Sequence, residues 1–488
     1  MLLGTLLIGR TLKRLYGIRP QAELQAQLHK FRSMHAVSRR VPADESADPE
    51  LLARPLRLQP SGRVVRNRLM KAPLTEYLST YDAEDVRESG LPTQRLLNLY
   101  SKFGRGRFGL LLTGNVVVDP LHYEAPCNSL VCAEAETPER RRLFQRLAAN
   151  AGADGALVVM QINHAGPRTP AVMLERPFVA WSGALSGELR ERAVELSVEQ
   201  IRTDVVDRFV YVAHFAHETG FDGVQVHLGY GWLLAGFLST ATNKRTDEFG
   251  GSVRNRLRVV QEIRDGIRSA IRDSAGFIVG LKLNSPTFEP EWNAEETAEM
   301  IDRLDAMGFD FVELTGGSGE KLAPSAVRAS TAAREAFFDE FLSVVRPHFK
   351  KTTVFLTGGY RTVAGMTEAI RAGKTDGISL GRPVAAEPDL PRKILEFGVK
   401  SAAYSDSEMQ NNFQMAKFKA NSQLGQASRT AIEGENEEAE AANVCAGISD
   451  FSDPTESKRY EREFTAFLQA GGLTPATFSG YFDYAPPC

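Results

Sequence analysis

The stretch VQVHLGYGWLLAGFLS, residues 224–239, puts an imidazole, a phenol and an indole within six residues: His227, Tyr230 and Trp232. They follow an apolar run that reads as a buried strand and precede one that reads as a helix. An imidazole and a phenol can hold or pass a proton, whereas an indole N–H donates a hydrogen bond but has no useful acidity. Other apolar runs end at the same relative place, most of them in polar or glycine residues: Pro73, Leu74 and Thr75; Gly114 and Asn115; Gln161 and Asn163; Lys282 and Asn284; Thr315 and Gly316; Gly358 and Gly359; Gly381 and Arg382. An amide, a cation, a hydroxyl and a histidine on one rim suit a heterocycle with several hydrogen-bonding edges. The TGG and GRP ends suit a phosphate: glycine lets the backbone approach, a following helix aims amides at an anion, and Arg382 adds a charged fork. Each residue also has a plainer reading. Gly-Gly after a strand can be a turn, Lys282 can neutralise Glu313 or Glu289, Gln161 can tie a loop, and His227 can be a satisfied core histidine. Their recurrence at the same end of successive strands favours a site.

The elements that must position them alternate. Strand-like runs occur at NRLMKAP, FGLLLTGN, ALVVMQIN, DGVQVHL, FIVGLKLN, DFVELTGG, TVFLTGG and DGISLGRP, with helix-length amphipathic stretches between most of them. Several of those stretches stop at glycine, as in ETGFDG, AMGFDF and RAGKTDG. Strands buried on both faces, with intervening helices, predict a parallel sheet, and eight such units predict an α/β fold of the (β/α)8 TIM-barrel type. The longest gap, roughly 165–220, is then a βα loop at the catalytic face. PLRLQPSGRVVRNRLMKAP predicts a hairpin around Pro-Ser-Gly at the barrel entrance. The expected division is an N-terminal helical extension and linker over 1–50, the barrel over 51–400, and a mainly helical C-terminal extension over 401–488. The aromatic end, SGYFDYAPPC, needs an apolar surface to bury it, in its own chain or in a partner across a homodimer.

Composition narrows the class. The formal charge of −3 over 488 residues gives no nucleic-acid surface, so a small-molecule substrate is expected. The cysteines, Cys127, Cys132, Cys445 and Cys488, form no metal-ligand spacing, so no metal is expected. No apolar run reaches the length of a membrane span. A reducing, cytoplasmic setting is the simplest expectation. The basic, acid-free start MLLGTLLIGRTLKRLYGIRP also fits a mitochondrial presequence or an amphipathic helix lying on a surface.

From about 57 to 398 the chain resembles the Old Yellow Enzyme family of FMN ene-reductases, in its NADH:flavin oxidoreductase/NADH oxidase branch. The resemblance is carried by NRLMKAPLTE, LLLTGNVVVDP, MQINHAGPRT, FDGVQVHLGYGWLLAGFLSTATNKRTDEFGGSVRNR, VGLKLNS, VELTGG, LTGGYRT and GISLGRPVAAEPDLPRK. It implies FMN as cofactor and NADH or NADPH as reductant. Pro73, Leu74 and Thr75 would line the flavin, Gly114 would offer backbone to the same edge, and Gln161 would bind the pyrimidine portion. Lys282 would stand near N1 and the C2 carbonyl, where a cation steadies negative charge on the reduced ring. Gly358, Gly359, Gly381 and Arg382 would hold the phosphate. In the family pattern a His and, three residues on, a His or Asn grip the carbonyl of an unsaturated substrate. A Tyr two positions further protonates it after hydride delivery from N5. Here His227 matches the first, Tyr230 replaces the second, and Trp232 stands where the Tyr is expected, so Tyr230 or Tyr77 would have to supply the proton. The resemblance implies an ene-reductase. An isomerase, an NAD(P)H oxidase, or a flavin-binding interaction protein without redox turnover are the alternatives. With no GxGxxG after a strand, no separate nicotinamide module is expected.

Overall fold

A computed structural model describes residues 37–174, 176–179, 193–271, 276–288, 291–316, 338–409, 412–432, 444–472 and 482–485. The eight apolar runs form parallel strands: β1 (Leu69–Lys71), β2 (Leu110–Val117), β3 (Leu157–Asn163), β4 (Gly223–Leu228), β5 (Ile278–Asn284), β6 (Phe311–Thr315), β7 (Thr353–Thr357) and β8 (Gly377–Leu380). Neighbours in sequence are neighbours in the sheet, and β8 returns to β1 through Ile378–Leu69, Ser379–Met70 and Leu380–Lys71, closing the barrel. Outside lie α1 (Gln94–Phe103), α2 (Pro138–Ala151), α3 (Asp207–Glu218), α4 (Arg258–Ala270), α5 (Ala294–Met307), helical residues 338–345, α6 (Val363–Arg371), α7 (Arg382–Ala386) and α8 (Leu390–Phe397).

Local chemistry sets these boundaries. Thr93 and Thr137 accept backbone N–H groups at the starts of α1 and α2, as N-cap hydroxyls do. Gly308 ends α5 at φ 76°, a left-handed conformation that costs glycine little. α4 buries Val259, Val260, Ile263 and Ile267 on one helical stripe.

The barrel interior is layered by the two-residue period of the strands. At the N-terminal end Met70, Leu110, Leu112, Val159, Ile278, Phe311 and Phe355 pack with Leu58 and Val65. The predicted hairpin supplies those last two: Leu56–Arg57 runs antiparallel to Val64–Val65 and plugs the floor. The two phenylalanine rings need glycine opposite them. A Cβ on Gly280 would lie 2.3 Å from the Phe311 ring, and one on Gly377 would lie 2.4 Å from the Phe355 ring. Above this apolar floor the interior residues turn polar.

The C-terminal segment adds the turn Asp406–Met409 and two helices, α9 (Phe413–Ala427) and α10 (Pro454–Gln469). Phe451, Tyr460, Phe464 and Tyr484 form a separate buried cluster, with Phe418, Phe467 and Phe482 against it. The aromatic tail thus meets an apolar surface in its own chain. α9 straddles the barrel wall between α7 and α1: Arg95 on α1 donates to Gly425 O and Ser428 Oγ at 2.8 and 2.9 Å, and Asn98 donates to Ser428 O. Residues 37–41 join this region, with Val41 N donating to Ala402 O and the Arg40 guanidinium gripping Glu387. The predicted N-terminal helix and most of the acidic run near 431–443 lie outside the described residues. Among the described residues no helix is long and apolar enough to cross a membrane.

Candidate active site

The middle layer of the barrel is a buried polar chain. Gln161 Nε2 donates to Gln225 Oε1 at 2.7 Å, and Gln225 Nε2 donates to Glu313 Oε2 at 3.1 Å. Glu313 also accepts from Thr357 Oγ1 at 2.6 Å and pairs with Lys282 Nζ at 3.4 Å. Such a network, fully joined in a low-dielectric interior, fixes its members in place. Of the two carboxylates considered for Lys282, the observed partner is Glu313; Glu289 lies outside the described residues.

The upper layer holds His227, Tyr230 and Trp232 together. The imidazole stacks on the indole at 4.4 Å and 17°, and its centroid is 6.0 Å from that of the phenol. Gly229 N–H donates to His227 Nδ1 at 3.2 Å, so the ring proton of the neutral form sits on Nε2. Burial, and then the charge of Lys282, hold the imidazole pKa well below its ordinary value. His227 is therefore a neutral ring with a fixed N–H donor. Tyr230 is half exposed, with its backbone in the left-handed region at φ 59°, held there by Tyr230 N–H donating to Asn284 Oδ1 at 2.8 Å. Its hydroxyl is 2.9 Å from Thr315 Oγ1, and its ring lies 5.7 Å from Lys282 Nζ.

At the β1 and β2 ends Pro73, Leu74 and Thr75 are part-buried. Thr75 Oγ1 donates to Asn115 Oδ1 at 2.8 Å and lies 3.3 Å from Glu124 Oε2. Gly114 N–H is used within the chain, donating to Glu76 Oε1 and Tyr100 Oη at 2.9 and 2.8 Å. A Cβ on Gly114 would lie 1.9 Å from Glu76, which explains the glycine there. Burial raises the Glu76 carboxyl and lowers the neighbouring Lys71 ammonium to about 8. Tyr77 has φ 55°, and burial beside Glu124 and Glu76 pushes its phenol up, making it a weaker acid. No contact joins Tyr77 to His227 among the described residues.

The β7 and β8 ends carry Gly358 and Gly359, the latter at φ 72°, and Gly381 and Arg382. A Cβ on Gly381 would meet Leu74 Cδ2 and Ala72 Cβ at 3.5 and 3.8 Å, ordinary van der Waals contact. Two further amides at the rim lack protein partners: both side-chain polar atoms of Asn163, and Asn284 Nδ2, are buried without a hydrogen bond.

The strand-end reading missed Gln225, Glu76 and Glu124, and named Glu313 only as a neutralising partner for Lys282. Gln225 and Glu313 were visible as polar residues two positions before His227 and Thr315, on the interior period of apolar strands. A buried Asp119–His122–His164 group was missed too. Its composition suits a metal, but its hydrogen bonds do not. His122 Nδ1 and His164 Nε2 face Asp119 at 3.2 and 3.4 Å, while the other ring nitrogens accept N–H from Phe178 and Gly166. Each Asp-facing nitrogen therefore carries the proton a metal would have to displace. The triad ties the loop after β2 to the end of β3.

The description NADH:flavin oxidoreductase / NADH oxidase family matches residues 52–398. The chain is 35% identical over 391 residues to the NADH-dependent flavin oxidoreductase nadA of Aspergillus parasiticus, covering 79% of this chain and 87% of that protein. It is 31% identical over 362 residues to the NADH-dependent flavin oxidoreductase iccE of Talaromyces variabilis, covering 68% and 84%. Among solved structures it is similar to the Old Yellow Enzyme homologue of Zymomonas mobilis, with TM-score 0.58 and 22% identity over 72% of this chain and 94% of that one. It is also similar to morphinone reductase in complex with tetrahydroNAD, with TM-score 0.57 and 20% identity over 72% and 92%.

Proposed function

Because the chain belongs to the NADH:flavin oxidoreductase / NADH oxidase family, and is an FMN-dependent oxidoreductase of the Old Yellow Enzyme type that uses NADH, we propose that it reduces an activated alkene conjugated to a carbonyl. When bound, FMN supplies the two-electron transfer between nicotinamide and acceptor. The residues fit that cofactor. The unpartnered amide of Asn163, the free Nδ2 of Asn284 and the Gln161–Lys282 side of the middle layer offer hydrogen-bonding edges to a heterocycle. The backbone at Gly381 and the guanidinium of Arg382 fit its phosphate, with Gly358 and Gly359 beside them. Pro73, Leu74 and Thr75 fit its edge.

One observation carries the reading: His227 is neutral, buried and locked with Nε2–H as a donor at the barrel mouth. A donor fixed before the substrate arrives polarises a carbonyl oxygen without reorganising, and makes the β-carbon of the conjugated alkene more electrophilic. The Tyr230 hydroxyl, shared with Thr315, gives the same oxygen a second donor or protonates the α-carbon. Trp232 holds the imidazole plane by stacking and supplies no proton. The indole in place of a phenol is also the observation that favours a second reading, an NAD(P)H oxidase in which molecular oxygen is the acceptor and carbon protonation is not needed. The alternatives of an isomerase and of a redox-silent flavin-binding partner meet the same test.

That test is an anaerobic titration followed at visible wavelengths. Bleaching by NADH or NADPH, reversed by cyclohexenone or a maleimide, is the expected result. Colour restored by oxygen alone would replace the alkene reading with the oxidase. A yellow protein that neither nicotinamide bleaches would refute both.

A further inference from the structure

The C-terminal segment reaches the phosphate end of the site. Glu408, on the turn Asp406–Met409, accepts Arg361 Nε–H and Nη2–H at 2.8 and 2.6 Å, and lies 3.1 Å from Arg382 Nε. Arg361 stands two residues after Gly359, and Arg382 directly follows Gly381. One carboxylate from beyond residues 52–398 therefore joins the loops that leave β7 and β8. Phe413, at the start of α9, lies 5.5 Å from the Arg382 guanidinium. Glu408 and Arg361 are buried, with side chains 10% and 5% exposed, while Arg382 remains 31% exposed. Arg382 meets Glu408 as an ion pair through Nε, and its guanidinium makes no hydrogen bond among the described residues. Two guanidinium groups against one carboxylate leave a net positive charge next to Gly381.

We propose that Glu408 is a positioning residue for the cofactor: it holds the Arg382 fork toward the FMN phosphate, so that the segment beyond the barrel completes the cofactor site. This rests on the reading of Arg382 as a phosphate ligand. Without the carboxylate the two guanidinium groups repel each other, and the long Arg382 side chain regains rotamers that phosphate binding must freeze again.

The test compares FMN with riboflavin, which lacks the phosphate, by fluorescence titration of the flavin-free protein. E408Q should weaken FMN binding roughly tenfold, the loss of one oriented charge-assisted contact, and leave riboflavin affinity unchanged. E408D should show a smaller loss of the same kind, and it carries the test if E408Q does not fold. In an R382Q background E408Q should cause no further loss of FMN preference. Unchanged or tighter FMN binding in both Glu408 variants overturns the proposal. So does a parallel fall for FMN and riboflavin, which marks a packing role, or full additivity with R382Q. If R382Q alone keeps the wild-type preference for FMN over riboflavin, the phosphate role of Arg382 fails and the proposal falls with it. A wild-type protein that binds neither flavin would instead refute the proposed function itself.

Discussion

Replacing Trp232 with tyrosine tests the chemistry of the barrel mouth most directly. The indole is 9% exposed and stacks on His227 at 4.4 Å, so Trp232→Tyr keeps an aromatic ring against the imidazole and adds a hydroxyl beside the substrate's carbon skeleton. Two effects oppose each other. The smaller ring loses part of the stack, a cost of about 1 kcal/mol, or roughly fivefold in the population of the aligned imidazole. A placed general acid contributes roughly 10²–10⁴-fold when proton transfer limits the step. The gain wins, and alkene-dependent reoxidation should rise by roughly tenfold or more. Reduction by NADH needs no such acid and should change less than about twofold. Anaerobic stopped-flow spectroscopy separates the two half-reactions, and Trp232→Phe, with the ring but no hydroxyl, should show no rise. The reasoning is refuted if the tyrosine and phenylalanine variants reoxidise with the alkene at the same rate, because position 232 would then lie off the proton's route.

Other consequences are equally open to measurement. Gly280→Ala forces a Cβ to 2.3 Å from the Phe311 ring and should destabilise the protein by about 1–3 kcal/mol; Phe311→Leu added to it should recover most of the lost melting temperature. His164 is buried with its pKa lowered to about 4, first by burial and then by His122, so the unfolded chain binds more protons than the folded one between about pH 6.5 and 4. Stability should accordingly fall as pH drops through that window, and His164→Asn should flatten the fall in a series of thermal melts. Zinc or a chelator should leave the melting temperature unchanged, since backbone donors fix both imidazoles of the Asp119 group in the wrong tautomer for a metal; a shift of several degrees with stoichiometric zinc would contradict this. Tyr460→Ala should cost about 3–5 kcal/mol within the aromatic cluster and loosen residues 444–472 to proteolysis before the barrel.

The eight strands and the rim they share were legible because period, length and flanking glycine act locally. His227, Tyr230, Trp232 and Lys282 could be placed on one rim for the same reason. The partners could not. Whether Lys282 meets Glu313 or Glu289 depends on which strand lies beside β5, and the Asp119 triad joins the loop after β2 to the end of β3, which no spacing connects. Glu408 is separated from Arg361 by 47 residues, and their meeting is set by how the C-terminal segment folds back on the barrel rather than by any local pattern. Gln225 and Glu313 were readable in principle: a polar side chain at an inward position of an apolar strand must find a buried partner.

The way α9 lies across the wall has a mechanical consequence. β7 meets β8 through Phe355–Gly377 and Leu356–Ile378, and β1 meets β2 through Met70–Leu110 and Lys71–Leu111, whereas the β4–β5 ladder runs from Gly223–Ile278 to Leu228–Leu283. The cylinder is thus thinly stitched on either side of the pair formed by its first and last staves, and the strap of α9 from α7 to α1 is bolted over that region. Under load or heat the staves should part there first, and a polypeptide cut before residue 401 would be a hoop without its clasp.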